Sequence, residues 1–133
     1  MKKENDVFSL SKGEESITAT LITDGVFGLS MASVDKINYN PFGNEHSIME
    51  YCWYVSRVIV KEDQRGKGIG SKLLNMLIDE IKSRPGTGPI IVTPGGYNAD
   101  AKKQMNFYKK NGFVKVKDNT GMLIYVLKKK TLR

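Results

Sequence analysis

The sequence has one cysteine, Cys52, and one histidine, His46. A lone cysteine cannot close an internal disulfide, and with a single histidine there is no zinc-binding set, so both a disulfide scaffold and a structural zinc domain are excluded and no metal is expected. No apolar run approaches the roughly 20 residues that cross a bilayer. The opening stretch MKKENDVFSLSKGEES turns polar where a secretory signal turns apolar, which predicts a cytoplasmic protein with no membrane partner. Internal repeats, low-complexity tracts and linkers are absent. With 133 residues, 40% of them hydrophobic, 13 Gly and 4 Pro, the chain has the size and mix of one compact domain, expected to span residues 1–133. Acidic residues are in deficit, 14 against 21 Lys+Arg, for a formal net charge of +7. That surplus favours anionic partners in general. It is spread over clusters at 2–3, 65–72, 102–110 and 128–133, and alone it does not choose between nucleic acid, a phosphate-rich cofactor and plain solubility.

Over the first 35 residues apolar and polar positions alternate, as in Ser16-Ile17-Thr18-Ala19-Thr20-Leu21-Ile22, break at Asp24-Gly25 and resume in Val26-Phe27-Gly28-Leu29-Ser30-Met31. This period predicts antiparallel strands joined by a tight turn. From Asp35 to Ser47, with Asn38, Asn40, Pro41, Gly43 and Asn44, turn residues recur without a period, which predicts an exposed loop. Tyr51 to Val60 is β-branched and aromatic, and apolar on both faces towards its end, as a central strand is. It runs through Lys61-Glu62-Asp63-Gln64 into Arg65-Gly66-Lys67-Gly68-Ile69-Gly70. Apolar residues at 73, 74, 77, 78 and 81 then give an amphipathic helix. After Arg84-Pro85-Gly86-Thr87-Gly88-Pro89, Ile90-Ile91-Val92-Thr93 predicts a short buried strand, parallel to the first because a helix crosses between them. A second helix is expected from near Asn98 or Asp100 to Asn111-Gly112, followed by a hairpin of 113–117 and 122–128.

A strand that empties through glycines into a helix gathers backbone N–H groups at the positive end of the helix dipole, which is a phosphate site. The P-loop pattern fails because Lys72 follows Ser71. The dinucleotide fingerprint fails because Ser71 or Leu73 stands where its last glycine belongs, so ATP and NAD are disfavoured. What remains is Arg-x-x-Gly-x-Gly, met by Arg65, Gly68 and Gly70, preceded by Val58-Ile59-Val60 and followed by Leu73-Leu74. In these residues the sequence resembles the GNAT family of acyl-CoA-dependent N-acetyltransferases. A second stretch, Phe107-Tyr108-Lys109-Lys110-Asn111-Gly112-Phe113, is similar to that family's Phe-Tyr-x-Lys-x-Gly-Phe. The resemblance covers residues 51 to 127; the first 50 match nothing in particular.

The resemblance implies a mixed α/β fold of the acyl-CoA N-acyltransferase type, a mostly antiparallel central sheet flanked by helices, with one parallel pair splayed at the cofactor site. It implies acetyl-CoA as cosubstrate, its pyrophosphate wrapped by the N–H groups of Arg65, Gly66, Lys67, Gly68, Ile69, Gly70 and Ser71, with glycines so that no Cβ holds the phosphate oxygens away. The pantetheine arm pairs in strand fashion with Val58-Ile59-Val60, and Lys67, Lys72 or Lys109 reaches the phosphates. Family members place an Asn at the start of the second helix; spacing from Tyr108 puts Ala101 there, with Asn98 as substitute from a shifted register.

Acetyl transfer from a thioester to an amine needs a neutral amine, a stabilised oxyanion and a proton for the departing thiolate. By the resemblance Tyr108 supplies that proton, and a backbone N–H near Val58 polarises the thioester carbonyl. The strand position at which some members carry a glutamate holds Cys52. By alternation Glu50, Cys52, Tyr54, Ser56 and Val58 share one face, making Glu50 the nearest acid and the candidate base, with Glu45 and His46 as further candidates and a water chain or neutral amine needing none. Cys52 otherwise reads as a small buried hydrophobe, Trp53 and Tyr51 as core, and Lys128 to Arg133 as a solvated tail.

No 3.6-residue period marks 11–50, where the family usually has helices lining the acceptor pocket, so an open acceptor site built from loops is expected, above all 36–49. The expected function is transfer of acetyl to a primary amine on a small molecule, peptide or protein. The alternative is a coenzyme A-binding regulatory module without turnover. Nucleic acid is disfavoured as a partner, since no groove-reading helix or aromatic RNA-binding signature accompanies the charge. Exposed sheet edges leave room for a homodimer.

Overall fold

The computed structural model describes residues 6–23, 26–37, 52–85, 89–93, 101–115 and 123–125, the side chains of 26–29 and 101 excepted. The alternating N-terminal third forms strands β1 (Val7–Lys12), β2 (Ser16–Thr23) and β3 (Val26–Ile37), each antiparallel to the next. The connection of β1 to β2 is only residues 13–15, closed by the Gly13 N–H donating to the Ser16 carbonyl at 2.8 Å. No helix stands between these two strands. Thr23 pairs with Val26, so β2 and β3 are the antiparallel neighbours that the alternation predicts; the break at 24–25 lies outside the described residues.

β3 extends further than its turn-rich composition suggests. Asp35, Lys36 and Ile37, expected in a loop, pair with Tyr54, Trp53 and Cys52 of β4 (Cys52–Ile59), because a long partner strand outweighs local turn preference. The rest of the expected loop, with Glu45 and His46, lies outside the described residues, as does Glu50 ahead of β4. Among the described residues β4 is the middle strand of seven, in the order β1-β2-β3-β4-β5-β7-β6. Its neighbour β5 (Ile90–Val92) is parallel to it, and β5–β7 and β7–β6 are antiparallel, with β6 at Val114–Lys115 and β7 at Leu123–Tyr125.

Between β4 and β5 runs α1 (Ile69–Lys82). Its five predicted apolar positions, Leu73, Leu74, Leu77, Ile78 and Ile81, are at most 2% exposed. They pack with Ile17, Ala19, Ala32, Val34, Trp53 and Val55 on one face of the sheet, each such burial stabilising by roughly 1.5–3 kcal/mol. Arg84, just past the helix, donates to the Glu80 carboxylate at 3.0 Å and the Gly13 carbonyl at 2.7 Å, tying the end of α1 to the β1–β2 connection. With Lys12 at 3.3 Å, Arg84 holds the Glu80 carboxyl below its ordinary range. On the opposite sheet face Cys52, Ile91 and Ile124 form a smaller cluster with Ile37 and Tyr54.

The helix α2 (Ala101–Lys110) crosses between β5 and the final hairpin and sets Tyr108 and Phe113 into the main core. Its expected caps, Asn98 and Asp100, lie outside the described residues. The C-terminal stop is the predicted one: Gly112 has φ +99°, and the Phe113 N–H donates back to the Tyr108 carbonyl at 3.0 Å. A Cβ on Gly112 would lie 2.8 Å from Cε2 of Tyr125. Gly112→Ala is therefore expected to lower the unfolding free energy by about 2 kcal/mol, from forced left-handed backbone plus ring displacement. Urea titration measures this directly; a midpoint equal to that of the parent chain would contradict the packing described.

Candidate active site

The parallel ladder of β4 with β5 consists of Trp53↔Ile90 and Tyr54↔Ile91 and then stops. Past Tyr54 the strands part, and the edge of β4 that faced β5 has no ladder partner among the described residues. The opening is a cleft of about 720 Å³. Val58, Ile59 and Val60 line it along β4, Arg65 and Gly70 close one end, and Tyr54 and Tyr108 lie at the other. The exposure of Ile59, at 45%, follows from this opening. The apolar end of β4, predicted to be buried on both faces, is instead the wall of a cleft.

A bulge sets which β4 side chains face the helices. Ser33 pairs with Arg57 and Val34 with Val55, so Ser56 is an extra residue on β4. The Ser33 and Ser56 hydroxyls lie 3.0 Å apart over it. Strict alternation, which puts Val58 on the face of Cys52 and Tyr54, thus fails at this point. Val58 packs against the main core with Trp53 and Val55, while Cys52 and Tyr54 belong to the opposite cluster.

The Gly-rich loop follows a short 3₁₀ turn, Glu62–Gln64. Gln64 is a buried polar pin that the sequence gives no reason to expect. Its Oε1 accepts from the Ser30 hydroxyl at 2.5 Å and its Nε2 donates to the Thr23 hydroxyl at 2.9 Å. The Lys61 N–H also donates to Ser30, at 2.9 Å. Arg65 Nε donates to the Val60 carbonyl at 3.1 Å, folding the loop back on the end of β4. Gly66 and Gly68 have φ near +77° and +76°, with open space where a Cβ would be. Here glycine serves the backbone turn. At Gly70 the reason is different: a Cβ would meet Val60 Cγ2 at 3.3 Å and the Phe107 ring at 3.4 Å, so the glycine lets α1 approach both β4 and α2.

No side chain caps the N-terminus of α1, and the helix's backbone bonding begins with the Lys72 N–H to the Gly68 carbonyl at 3.0 Å. The preceding N–H groups, of Ile69, Gly70 and Ser71, have no acceptor within the helix, the arrangement that favours an anion at a helix start. Ser71 is braced from α2, where Asn111 Nδ2 donates to its hydroxyl at 3.2 Å and Asn75 donates to Asn111 Oδ1 at 3.2 Å.

From α2, Lys103, Gln104, Phe107 and Tyr108 line the cleft, one helical face. Tyr108 is 6% exposed, with Phe107 and Phe113 edge-on at 5.2 and 5.4 Å. Burial pushes its phenol up to about 12, and the Tyr54 phenol across the cleft adds to the rise. Cys52 is fully buried and pushed up to about 11 for the same reason, which leaves it inert as a nucleophile.

Of the residues expected in the site, Val58, Ile59, Val60, Arg65, Gly70 and Tyr108 come together around the cleft. Lys67, Gly68 and Ile69 line a different cavity beyond the loop, and Lys109 lines neither. Lys72 points at the Phe8 ring, 4.5 Å from its centre. Glu50 and Asn98 lie outside the described residues. Tyr54, Gln64, Lys103 and Gln104 were not singled out by the sequence, although the i, i+1, i+4, i+5 spacing of 103, 104, 107 and 108 is a signal that could have found the two α2 residues. Among the described residues no carboxylate lines the cleft, and no group of three His, Cys, Asp or Glu could hold a metal ion.

A family model described as an acetyltransferase (GNAT) domain matches residues 24–115. No curated protein matches. Among solved structures, Arabidopsis thaliana NAA60 in complex with a bisubstrate analogue is 14% identical, with a TM-score of 0.64 over 86% of this chain and 76% of that one. The ribosomal-protein-S18-alanine N-acetyltransferase from Escherichia coli is 17% identical, with a TM-score of 0.61 over 90% and 74%. The NatC complex bound to Gag peptide and CoA is 19% identical, with a TM-score of 0.60 over 84% and 71%. At such identities the likeness establishes the fold, an acyl-CoA N-acyltransferase fold with one splayed parallel pair. The family match goes further, because its span takes in the bulged strand, the glycine loop and the helix bearing Tyr108, and on that ground the chain belongs to the GNAT acetyltransferase family.

Proposed function

We propose that this protein transfers an acetyl group from acetyl-CoA to a primary amine, on a small molecule, peptide or protein, by direct attack in a ternary complex. The observation that carries the reading is the cleft that brings together the edge of β4 left without a ladder partner among the described residues, Arg65 and Gly70 at the start of α1, and the phenol of Tyr108. N–H groups of Arg65 to Ser71 hold the pyrophosphate, and Val58 and Val60 offer strand-like hydrogen bonds to the pantetheine, with Asn98 as a further partner. Lys103, which lines the cleft, replaces Lys109 as the phosphate-side cation in this reading.

The amine nitrogen attacks the thioester carbonyl carbon, a backbone N–H near Val58 stabilises the oxyanion, and the C–S bond then breaks. Tyr108 gives its proton to the departing thiolate; burial keeps that proton on the phenol at any ordinary pH. Tyr54, on the sheet face opposite the main core and at the point where the strands part, orients the incoming amine. Glu50, two residues ahead of β4, is the proposed base. Cys52 carries no acyl group, being buried and protonated. A second reading, coenzyme A binding without turnover, is favoured by the absence of a carboxylate among the described residues lining the cleft. Turnover on one amine disposes of it.

Calorimetric titration with acetyl-CoA is expected to show one saturable site, with no binding of NADH or ATP. Gly68→Glu, whose side chain enters open space, is expected to weaken acetyl-CoA binding by about tenfold or more through charge repulsion relative to Gly68→Ala, which carries the same left-handed backbone strain. Equal binding by the two variants would remove the loop from the site. Tyr108→Phe is expected to lower kcat by about 100-fold with acetyl-CoA affinity kept within about twofold. In the parent enzyme, Tyr108 with a pKa of about 12 predicts no descending alkaline limb from this group below about pH 11. A limb centred near pH 9 that vanishes in Tyr108→Phe would contradict the buried-acid assignment.

A further inference from the structure

On the far side of the Gly-rich loop from the acetyl-transfer cleft lies a second cavity, of about 300 Å³, which shares no lining residue with the first. Three elements wall it: Phe8 of β1, Leu21 of β2 and Ile69 in the first turn of α1 make an apolar lining. Gln64 and Thr23, 8% and 7% exposed, supply a buried polar floor. The Gln64 amide is held by Ser30 and Thr23, and it keeps one amide hydrogen beyond those two bonds.

The charges around this cavity do not cancel. Lys61, Lys67 and Lys72 face Asp6 and Asp63, one positive charge in excess among the described lining residues. Lys61 is matched by Asp63 at 3.6 Å. Lys72 lies over the Phe8 ring, and Lys67 makes no ion pair among the described residues. The volume is at the lower end of the roughly 300–1,000 Å³ of ligand pockets, enough for one ring or a short chain. An excess of one charge beside an apolar wall fits a monoanion with an apolar body better than a phosphate, which carries close to two charges and no apolar surface.

We propose that this cavity binds a small monocarboxylate with an apolar body, the carboxylate towards Lys67 and Lys72 and the body against Phe8, Leu21 and Ile69. Such a ligand acts on the acetyl-transfer site through the loop itself. Gly68 and Ile69 form one wall of this cavity while Arg65 and Gly70 form the end wall of the cleft, so an occupant that fixes one side changes the affinity of the other, and the coupling is reciprocal.

The test titrates the full chain with benzoate, phenylacetate and hexanoate, and with their amides, first without and then with saturating acetyl-CoA. At least one carboxylate is expected to bind saturably to the ligand-free protein, with its amide about tenfold weaker or worse, and to shift the amide resonances of Phe8, Gly68 and Ile69. Binding is expected to persist when acetyl-CoA is present, with a changed constant. Lys72→Gln and Phe8→Ala are each expected to weaken the carboxylate about fivefold, and Phe8→Ala leaves acetyl-CoA affinity in its absence unaltered. No binding of any carboxylate below about 10 mM, equal binding of acid and amide, or displacement by acetyl-CoA would each overturn the proposal. Because the first titration is made without acetyl-CoA, failure of the acetyl-CoA reading and failure of this one give different results.

Discussion

The pairing of β4 with β5 ends at Tyr54, and past that point backbone N–H and C=O groups in the middle of the sheet have no ladder partner among the described residues. Buried and unpaired, such groups would be strongly destabilising, so the edge opens on a cleft instead. The surrounding elements serve this opening. Ser56 is bulged against β3 and turns the strand, Arg65 bonds back to the Val60 carbonyl just past β4, and Gly70 lets α1 and α2 meet closely. No described strand pairs with this edge, and an extended amide-bearing arm is chemically suited to do so.

The chemistry follows from burial rather than from unusual residues. Tyr108 owes its raised pKa to the same packing, with Phe107 and Phe113 edge-on to it, that fixes its direction towards the cleft. Cys52, two residues before the end of the ladder, is raised by burial too, but on the face away from the main core and without an opening to substrate. Desolvation on either face of the sheet thus keeps the proton on the phenol at the cleft and on the thiol behind it.

Much of this was legible in the sequence where the signal is local. The five apolar positions of α1, the glycine stop after α2, the parallel relation of β4 and β5 and the strand–loop–helix unit all depend on spacing within a few residues. What was not legible depends on partners far along the chain. The bulge at Ser56 is a matter of register with β3, and it moves Val58 to the face that alternation assigns to its neighbours. Gln64 looks like part of a charged run, and only Ser30 and Thr23 make it a buried pin. Asp35 to Ile37 read as loop because β4 is not visible from their side of the sequence. The glycines of the loop were expected to allow the close approach of phosphate; beside that, positive φ asks for glycine at 66 and 68 and helix packing asks for it at 70.

The central claim is that the free edge of β4 and the uncapped start of α1 form one acetyl-CoA site. Amide hydrogen exchange, read residue by residue with and without acetyl-CoA, tests it most directly. The account predicts slowed exchange at Val58 and Val60 and at Ile69, Gly70 and Ser71 together, with β1 and β2 unchanged. Protection confined to the loop, or absent from both segments while acetyl-CoA is bound, would contradict it.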